Sequence, residues 1–559
     1  MPMIARTALR TVTSPALPSD LQPARPRVRA AFNARVRGVV VEPFWAVLLA
    51  ATIAIAATPA SSQAAGALSQ RVAGAIGNAG LGNGVVAVSI RDCETGRELV
   101  SIRSDQSLIP ASNMKLFTSG AALHVLRPDF SFHTRLLLAG DGNGGERLIV
   151  LADGDPAFGD PIVLARTSWT DGTGVTRNGM APEELIDVWV SALTARGVRT
   201  LSEVVVDDRV FDRQFVHPSW PTDQLLQRSY GQVAGLNFHL NLLHLRPRPG
   251  QSGRPELASM QPAAPWLGLN VRASQRTGQK DTQSVWFSRP ASSNNLTMHG
   301  NIRAAAQEPI MLPVHDMPSF FGDLLRDRLR RGGVDAKAVR VADLQEPVLT
   351  ERSPNTTIVG PMIVTPITEP LRRCNADSQN LHAEALLKRT AHAFSGAPGS
   401  WDRGADAVRH AIHERVVRPL GDPSLLEGFR LADGSGLSRQ NRVTARLVTA
   451  WLDSFHRDPS LGPFMLDSLA VAGETGTLRN RFRAIAGTEA QVQCKTGYIS
   501  GVSCLSGYVT MPDGRRRSFA ILGNNLTQAG AVAKARTLQE RIVQLIVDDM
   551  AATTALGGD

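Results

Sequence analysis

Lysine is scarce in this chain, with six residues (Lys115, Lys280, Lys337, Lys388, Lys495 and Lys534) beside 54 arginines. A bias toward arginine codons accounts for the imbalance, and it makes any short motif that contains lysine informative. Two of the six sit in such motifs. Ser112-Asn113-Met114-Lys115 is the only place where serine stands three residues before lysine, and Lys495-Thr496-Gly497 is the only Lys-[Ser/Thr]-Gly. If the two act together, the fold must bring segments 380 residues apart into one cleft.

Pro110 precedes the first motif and the apolar run LFTSGAALHVL follows it. Ser112 and Lys115 therefore belong to the first turn of a helix, on one face. A serine hydroxyl is a poor nucleophile until a neighbouring base takes its proton. Lysine is that base only when desolvation or another cation lowers its pKa. The field at a helix N-terminus favours the developing alkoxide. Taken alone, the same pattern also describes a surface serine and lysine at a helix start. Lys495-Thr496-Gly497 lies in the strand pattern AQVQCKTGYI, where Lys495 and Thr496 point to opposite faces unless the strand twists or bulges at Gly497. A cation beside a hydroxyl donor suits a substrate carboxylate, and glycine lets a substrate backbone lie close against the strand. Ser-x-Asn occurs at Ser292, Ser293, Ser353 and Ser378; Ser378-Gln379-Asn380 is singled out because it leads directly into a helical pattern, SQNLHAEALLKRTAHAF.

The remaining chain supplies the setting. Its 559 residues suit two to four domains, and 43% apolar content is enough for real cores. Residues 1–64 hold seven Arg against Asp20 and Glu42, half of the net charge of +10, so the rest has only a small surplus and no nucleic-acid partner is expected. After this basic flank come the apolar run 43–57 (PFWAVLLAATIAIAA) and the small residues Ser62 and Ala64. The run is short for a spanning helix and reads as an export signal over 1–64, cleaved near Ala64. Retention as an anchor and a start codon farther downstream are the alternatives. The mature protein is expected to be soluble, exported to the periplasm or cell-wall space, and at most peripheral to a membrane. Cys93, Cys374, Cys494 and Cys504 are too few for a disulfide scaffold and lack zinc spacing. A hairpin turning near Ile499 would set Cys494 opposite Cys504; free buried thiols are the alternative.

Periodicity gives helices near 66–77, 380–395, 443–457 and 529–550, the last with an apolar face from Ala535 to Met550, and strands near 132–152 and 490–523. Residues 182–206 and 317–342 share one plan of helix, Gly stop and strand, which suggests two related pieces of a middle region. The stretch 245–300 reads as loops with short strands.

The three motifs in this order resemble the penicillin-recognising serine acyl-transferases. More closely, the chain resembles the D-alanyl-D-alanine carboxypeptidase/endopeptidase family, peptidase family S13, the class C low-molecular-mass penicillin-binding proteins. Further matching segments are GDP at 154–156, VVVDDRVF at 204–211, GLNFHLN at 235–241, DGSGLSRQNRV at 433–443, GTLRNRF at 476–482 and KTGYISGVSCLSGYV at 495–509. The 266-residue separation of Ser112 and Ser378 also suits a family that carries large extra domains there.

The resemblance implies a multi-domain α/β fold. A β-lactamase/transpeptidase-like domain, an antiparallel sheet flanked by helices, would span 66–132 and 356–559, interrupted over 133–355 by inserted α+β/β domains in two nested parts. It implies Ser112 as nucleophile, Lys115 as general base, Ser378 as proton relay, and Asn380 as the group positioning Lys115 and the substrate amide. Lys495 and Thr496 would hold the terminal carboxylate beside the substrate-binding Gly497, and the N–H groups of Ser112 and Tyr498 would form the oxyanion hole. Tyr498 departs from the usual Thr, so a hydroxyl contact to the carboxylate is lost or moved. Arg439 and Ser500 fall where the family contacts the peptide's side chain; a loop ion pair and a turn residue are their structural alternatives. No metal or cofactor is implied. The expected partners are peptidoglycan peptides, with β-lactam antibiotics as covalent inhibitors. Two other functions fit the motifs less well. A serine β-lactamase needs rapid deacylation, and nothing here matches the extra Glu that activates water in one such class. A penicillin- or wall-binding sensor would carry a vestigial site.

Overall fold

The computed structural model describes residues 60–170, 176–276, 283–482, 485 and 488–556. The basic flank and the apolar run 43–57 lie outside the described residues. Among the described residues no helix is long and apolar enough to cross a membrane.

Strands whose apolar residues run almost continuously, such as VVAVSI and SFAIL, need cover on both faces. They receive it. A six-stranded antiparallel sheet runs in the order Glu98–Ile102, Val85–Asp92, Arg516–Asn524, Val502–Thr510, Gln491–Ile499, Ala470–Val471. Val85–Asp92 and Arg516–Asn524, far apart in sequence, are neighbours in it, with Val85 opposite Asn524. On one face Val88, Ile90, Leu505, Phe519 and Ile521 pack with the helices Ala60–Gly77 and Ala531–Leu556. The expected apolar face of the last helix is the buried one, with Ala535, Leu538, Ile542, Leu545, Val547 and Met550 all inside. On the other face Ala87, Cys504, Ala520 and Leu522 pack with the helices Met114–Leu126, Asn380–Ser395 and Ala445–His456.

The hairpin Gln491–Ile499/Val502–Thr510 turns at Ser500-Gly501, and its register sets Cys494 opposite Gly507 and Cys504 opposite Gly497. The turn expected near Ile499 is therefore displaced. Because strand side chains alternate, the two cysteines lie on opposite faces of the sheet, Cys494 in one core and Cys504 in the other. All four cysteines are free and buried, so the cross-strand pairing does not form.

Between the Ser112 helix and the Ser378 segment the chain builds a second six-stranded sheet. Val339–Val341, Glu203–Asp207 and Glu146–Leu151 are parallel neighbours, and Glu146–Leu151 is antiparallel to Ser131–Gly140. The two helix–Gly–strand units lie side by side: their strands pair, and the helices Pro182–Ala195 and Met317–Arg331 share a core through Trp189, Val190, Phe321 and Leu329. Thr356–Ile358 and Ile363–Pro366 both pair with Ser131–Gly140, setting Ser131 opposite Pro366, so the chain leaves this region where it came in. The stretch 242–313 forms small sheets, among them Leu242–Arg248 between Glu256–Gln261 and Ile310–Pro313.

Candidate active site

Pro110 starts a 3-10 turn, Ala111–Asn113, that feeds the helix Met114–Leu126. Ala111 stands at φ 47, a left-handed conformation that a residue with a Cβ adopts only when its surroundings hold it there. Ser112 is half-buried and Lys115 fully buried, both on the inner face of this first turn. Lys115 Nζ donates to Ser112 Oγ at 3.1 Å, to Asn380 Oδ1 at 2.7 Å and to the Ser435 carbonyl at 2.7 Å. Burial brings its pKa down to about 8, with Cys374, Glu384 and Asp433 opposing the fall.

The Ser435 carbonyl is held by a loop tied to two buried carboxylates. Glu384, one turn into the helix Asn380–Ser395, accepts from Gly434 N at 2.9 Å, Ser435 N at 2.8 Å and Trp401 Nε1 at 2.8 Å. Burial and the neighbouring Asp433 raise Glu384 to about 7. Asp433 accepts from Gly436 N, Ser438 N, Asn441 Nδ2 and Trp220 Nε1, all between 2.7 and 2.9 Å. Gly436 stands at φ 85, and a Cβ there would lie 1.9 Å from the Ala111 carbonyl oxygen and 3.0 Å from Ser112 N. The loop thus presses directly on the turn that carries Ser112.

Ser378 occupies the left-handed region at φ 60, immediately before the helix Asn380–Ser395. Asn380 Nδ2 donates to the Ser229 carbonyl at 2.9 Å, so the inserted region reaches the site. Lys495, also fully buried, donates to Ser378 Oγ at 2.8 Å and to the Thr496 carbonyl at 2.8 Å. Burial, with Lys115 nearby, holds its pKa well below the ordinary value. Thr496 donates to Thr477 Oγ1 at 3.0 Å.

Gly497 lines the cleft described below and also meets the Ser112 turn. A Cβ there would lie 2.7 Å from the Pro110 carbonyl oxygen and 2.9 Å from Asn113 Oδ1. A close approach between this strand and the Ser112 turn therefore requires glycine here. Asn113, inside the first motif, joins the same two segments: its Nδ2 donates to the Lys495 carbonyl at 3.3 Å and to Ser506 Oγ at 3.0 Å. Sequence reasoning missed both Asn113 and Glu384. The one available signal for Glu384 was an acid set among apolar helix residues, LHAEALL.

Ser112, Ser378, Thr477, Thr496, Tyr498 and Arg536 are among the residues lining a cleft of about 410 Å³. Tyr498 is 56% exposed. Arg439 and Ser500 meet one another instead: the exposed Arg439 guanidinium donates to the Ser500 carbonyl at the hairpin turn. Neither lines this cleft. A second hollow, about 340 Å³, adjoins Ser378 and Asn380 where the inserted region contributes Ser229, His244 and Met311. Among the described residues no group of His, Cys, Asp or Glu is placed to hold a metal ion.

The profile of the D-Ala-D-Ala carboxypeptidase 3 (S13) family matches residues 68–546. The chain is 30% identical to a D-alanyl-D-alanine carboxypeptidase of an Actinomadura species, covering 94% of this chain and 93% of that one. The crystal structure of penicillin-binding protein 4 of Haemophilus influenzae shares the fold, with a TM-score of 0.63 at 19% identity over 86% of this chain and 99% of that one. The structure of that protein complexed with a β-lactam gives a TM-score of 0.59, with the same identity and coverage.

Proposed function

As a member of the D-Ala-D-Ala carboxypeptidase 3 (S13) family, the chain is a serine-type D-Ala-D-Ala carboxypeptidase, and we propose that it works through an acyl-enzyme on Ser112 and also cleaves the D-alanyl cross-links of peptidoglycan. The observation that carries this reading is a fully buried lysine, lowered to about 8, with its Nζ 3.1 Å from a reachable serine hydroxyl. In its neutral form Lys115 takes the Ser112 proton as Oγ attacks the carbonyl carbon of the penultimate D-alanine. The backbone N–H groups of Ser112 and Tyr498 receive the oxyanion. Collapse breaks the C–N bond, and the departing amine of the last D-alanine gains its proton through Ser378 Oγ, which is hydrogen-bonded to Lys495. Water then attacks the ester, with Lys115 again as base, and frees Ser112.

Asn380 keeps Lys115 in place and presents its amide to the substrate. Lys495 and Thr496 lie where the terminal carboxylate arrives. In a cross-linked peptide the leaving amine belongs to a neighbouring stem instead of to free D-alanine, and the bond chemistry is otherwise the same. The hollow beside Ser378 and Asn380 offers space for such a stem. A β-lactam carries an amide and a carboxylate in the same relation, so it acylates Ser112 and stays; the β-lactam complex of the Haemophilus protein supports this. The basic flank and apolar run at the N-terminus support export to the compartment where peptidoglycan lies.

The test is digestion of diacetyl-Lys-D-Ala-D-Ala and of purified cross-linked muropeptides, with products resolved by mass. Free D-alanine from the first and monomers from the second are expected. Failure to release D-alanine would contradict the carboxypeptidase mechanism, and intact dimers beside released D-alanine would remove the endopeptidase activity. Many turnovers per second on nitrocefin would point to a β-lactamase.

A further inference from the structure

Arg481 and Arg536 line the 410 Å³ cleft, Lys115 and Lys495 are buried beside its serines, and of these four cations three are already engaged. Lys115 has three acceptors, and Lys495 donates to Ser378 Oγ and the Thr496 carbonyl. Arg481 is paired with Glu540 at 2.9 Å and donates to Gln539 Oε1 and the Arg536 carbonyl. The fourth is Arg536, near the start of the helix Ala531–Leu556. Its side chain is exposed at the cleft wall, and among the described residues no carboxylate pairs with it. Its guanidinium carbon lies 5.2 Å from the centroid of the Tyr498 ring.

We propose that Arg536, held over the ring of Tyr498, is a specificity-determining residue that joins Lys495 and Thr496 in receiving the C-terminal carboxylate of the D-alanyl peptide. This rests on the reading of Ser112 as the acylated residue. Three physical points carry it. A guanidinium lying on an aromatic face loses part of its rotamer freedom before any ligand arrives, while its N–H edge stays open to two carboxylate oxygens. A guanidinium offers a planar fork of N–H donors that matches a carboxylate, whereas burial, with Lys115 nearby, disfavours the charge of Lys495. The cleft-side neighbour of Thr496 along the strand is Tyr498, whose bulk serves as a platform for the cation in place of a small hydroxyl donor.

The experiment compares two thiolester acyl donors in steady state, one ending in a free carboxylate and its methyl-ester twin. Arg536→Ala should raise KM for the carboxylate donor about tenfold and leave kcat within about twofold, the size of one charge-assisted hydrogen bond. Arg536→Lys should recover most of that loss. Tyr498→Leu, which removes the platform and keeps the cation, should give an intermediate KM. The methyl ester should be turned over alike by the wild type and the two Arg536 variants, and added salt should weaken the carboxylate donor on the wild type more than on Arg536→Ala. An unchanged KM in Arg536→Ala, or equal losses on both donors, overturns the assignment. A wild type that takes neither donor nor penicillin refutes the acyl-enzyme reading itself, whereas normal penicillin acylation with an indifferent Arg536→Ala refutes only this inference.

Discussion

Raising the pH from 7 to 9 should speed acylation of Ser112 about tenfold, and the rate should then level off. The perturbation acts on Lys115, whose pKa burial lowers from 10.5 to about 8. At that value roughly a tenth of the side chain is a neutral base at pH 7 and roughly nine-tenths at pH 9. A lysine left at 10.5 would give about a hundredfold rise over the same interval and no plateau. The sign follows from the role: only the deprotonated amine accepts the Ser112 proton, so activity is lost as pH falls through the pKa. The environment makes a second demand. Glu384 and Asp433 oppose the fall in the lysine pKa. Glu384→Gln removes one negative charge and should move the inflection to lower pH. The assay is the second-order rate of labelling by a fluorescent penicillin, measured by stopped flow between pH 6 and 10. A rate still climbing tenfold per pH unit above 9, or an inflection that Glu384→Gln moves upward, would refute the reasoning.

Gly436→Ala places a methyl group against the Ala111 carbonyl at a positive φ, and should cost about 2–4 kcal/mol in a denaturant titration while slowing acylation; an unchanged midpoint would contradict the packing described. Asn113→Ala removes the donor joined to the Lys495 carbonyl and Ser506 and should cost about 1–3 kcal/mol, with slower acylation, because it loosens the seam between the two lysine motifs. In the native protein the thiols should resist alkylation, since burial pushes all four up to about 12, and four should react after denaturation without reductant; fewer than four would mean a disulfide.

The site was legible in the sequence to the extent that it depends on rare residues in short motifs. Lys115 and Lys495 announced themselves through scarcity, and Ser378 through the helix that follows it. Apolar runs covered on both faces made the sheet strands readable, and the Gly-stopped units at 182–206 and 317–342 proved to be neighbours. Contacts between distant segments were not readable. Asn113 acts on a carbonyl 382 residues away, and Glu384 holds the loop at 433–436 whose Ser435 carbonyl accepts from Lys115. The packing of Gly497 against Pro110 was hidden because Pro110 is far off in sequence. The cysteine pairing failed on register: the turn at Ser500-Gly501 puts an odd offset between Cys494 and Cys504, and an odd offset sends two side chains to opposite faces.

The most direct measurement is peptide mapping by mass spectrometry of the protein after brief exposure to penicillin. A single penicilloyl adduct on the peptide containing Ser112, absent from an otherwise folded Ser112→Ala protein, is the result expected. An adduct on any other residue, or undiminished labelling of Ser112→Ala, would contradict it.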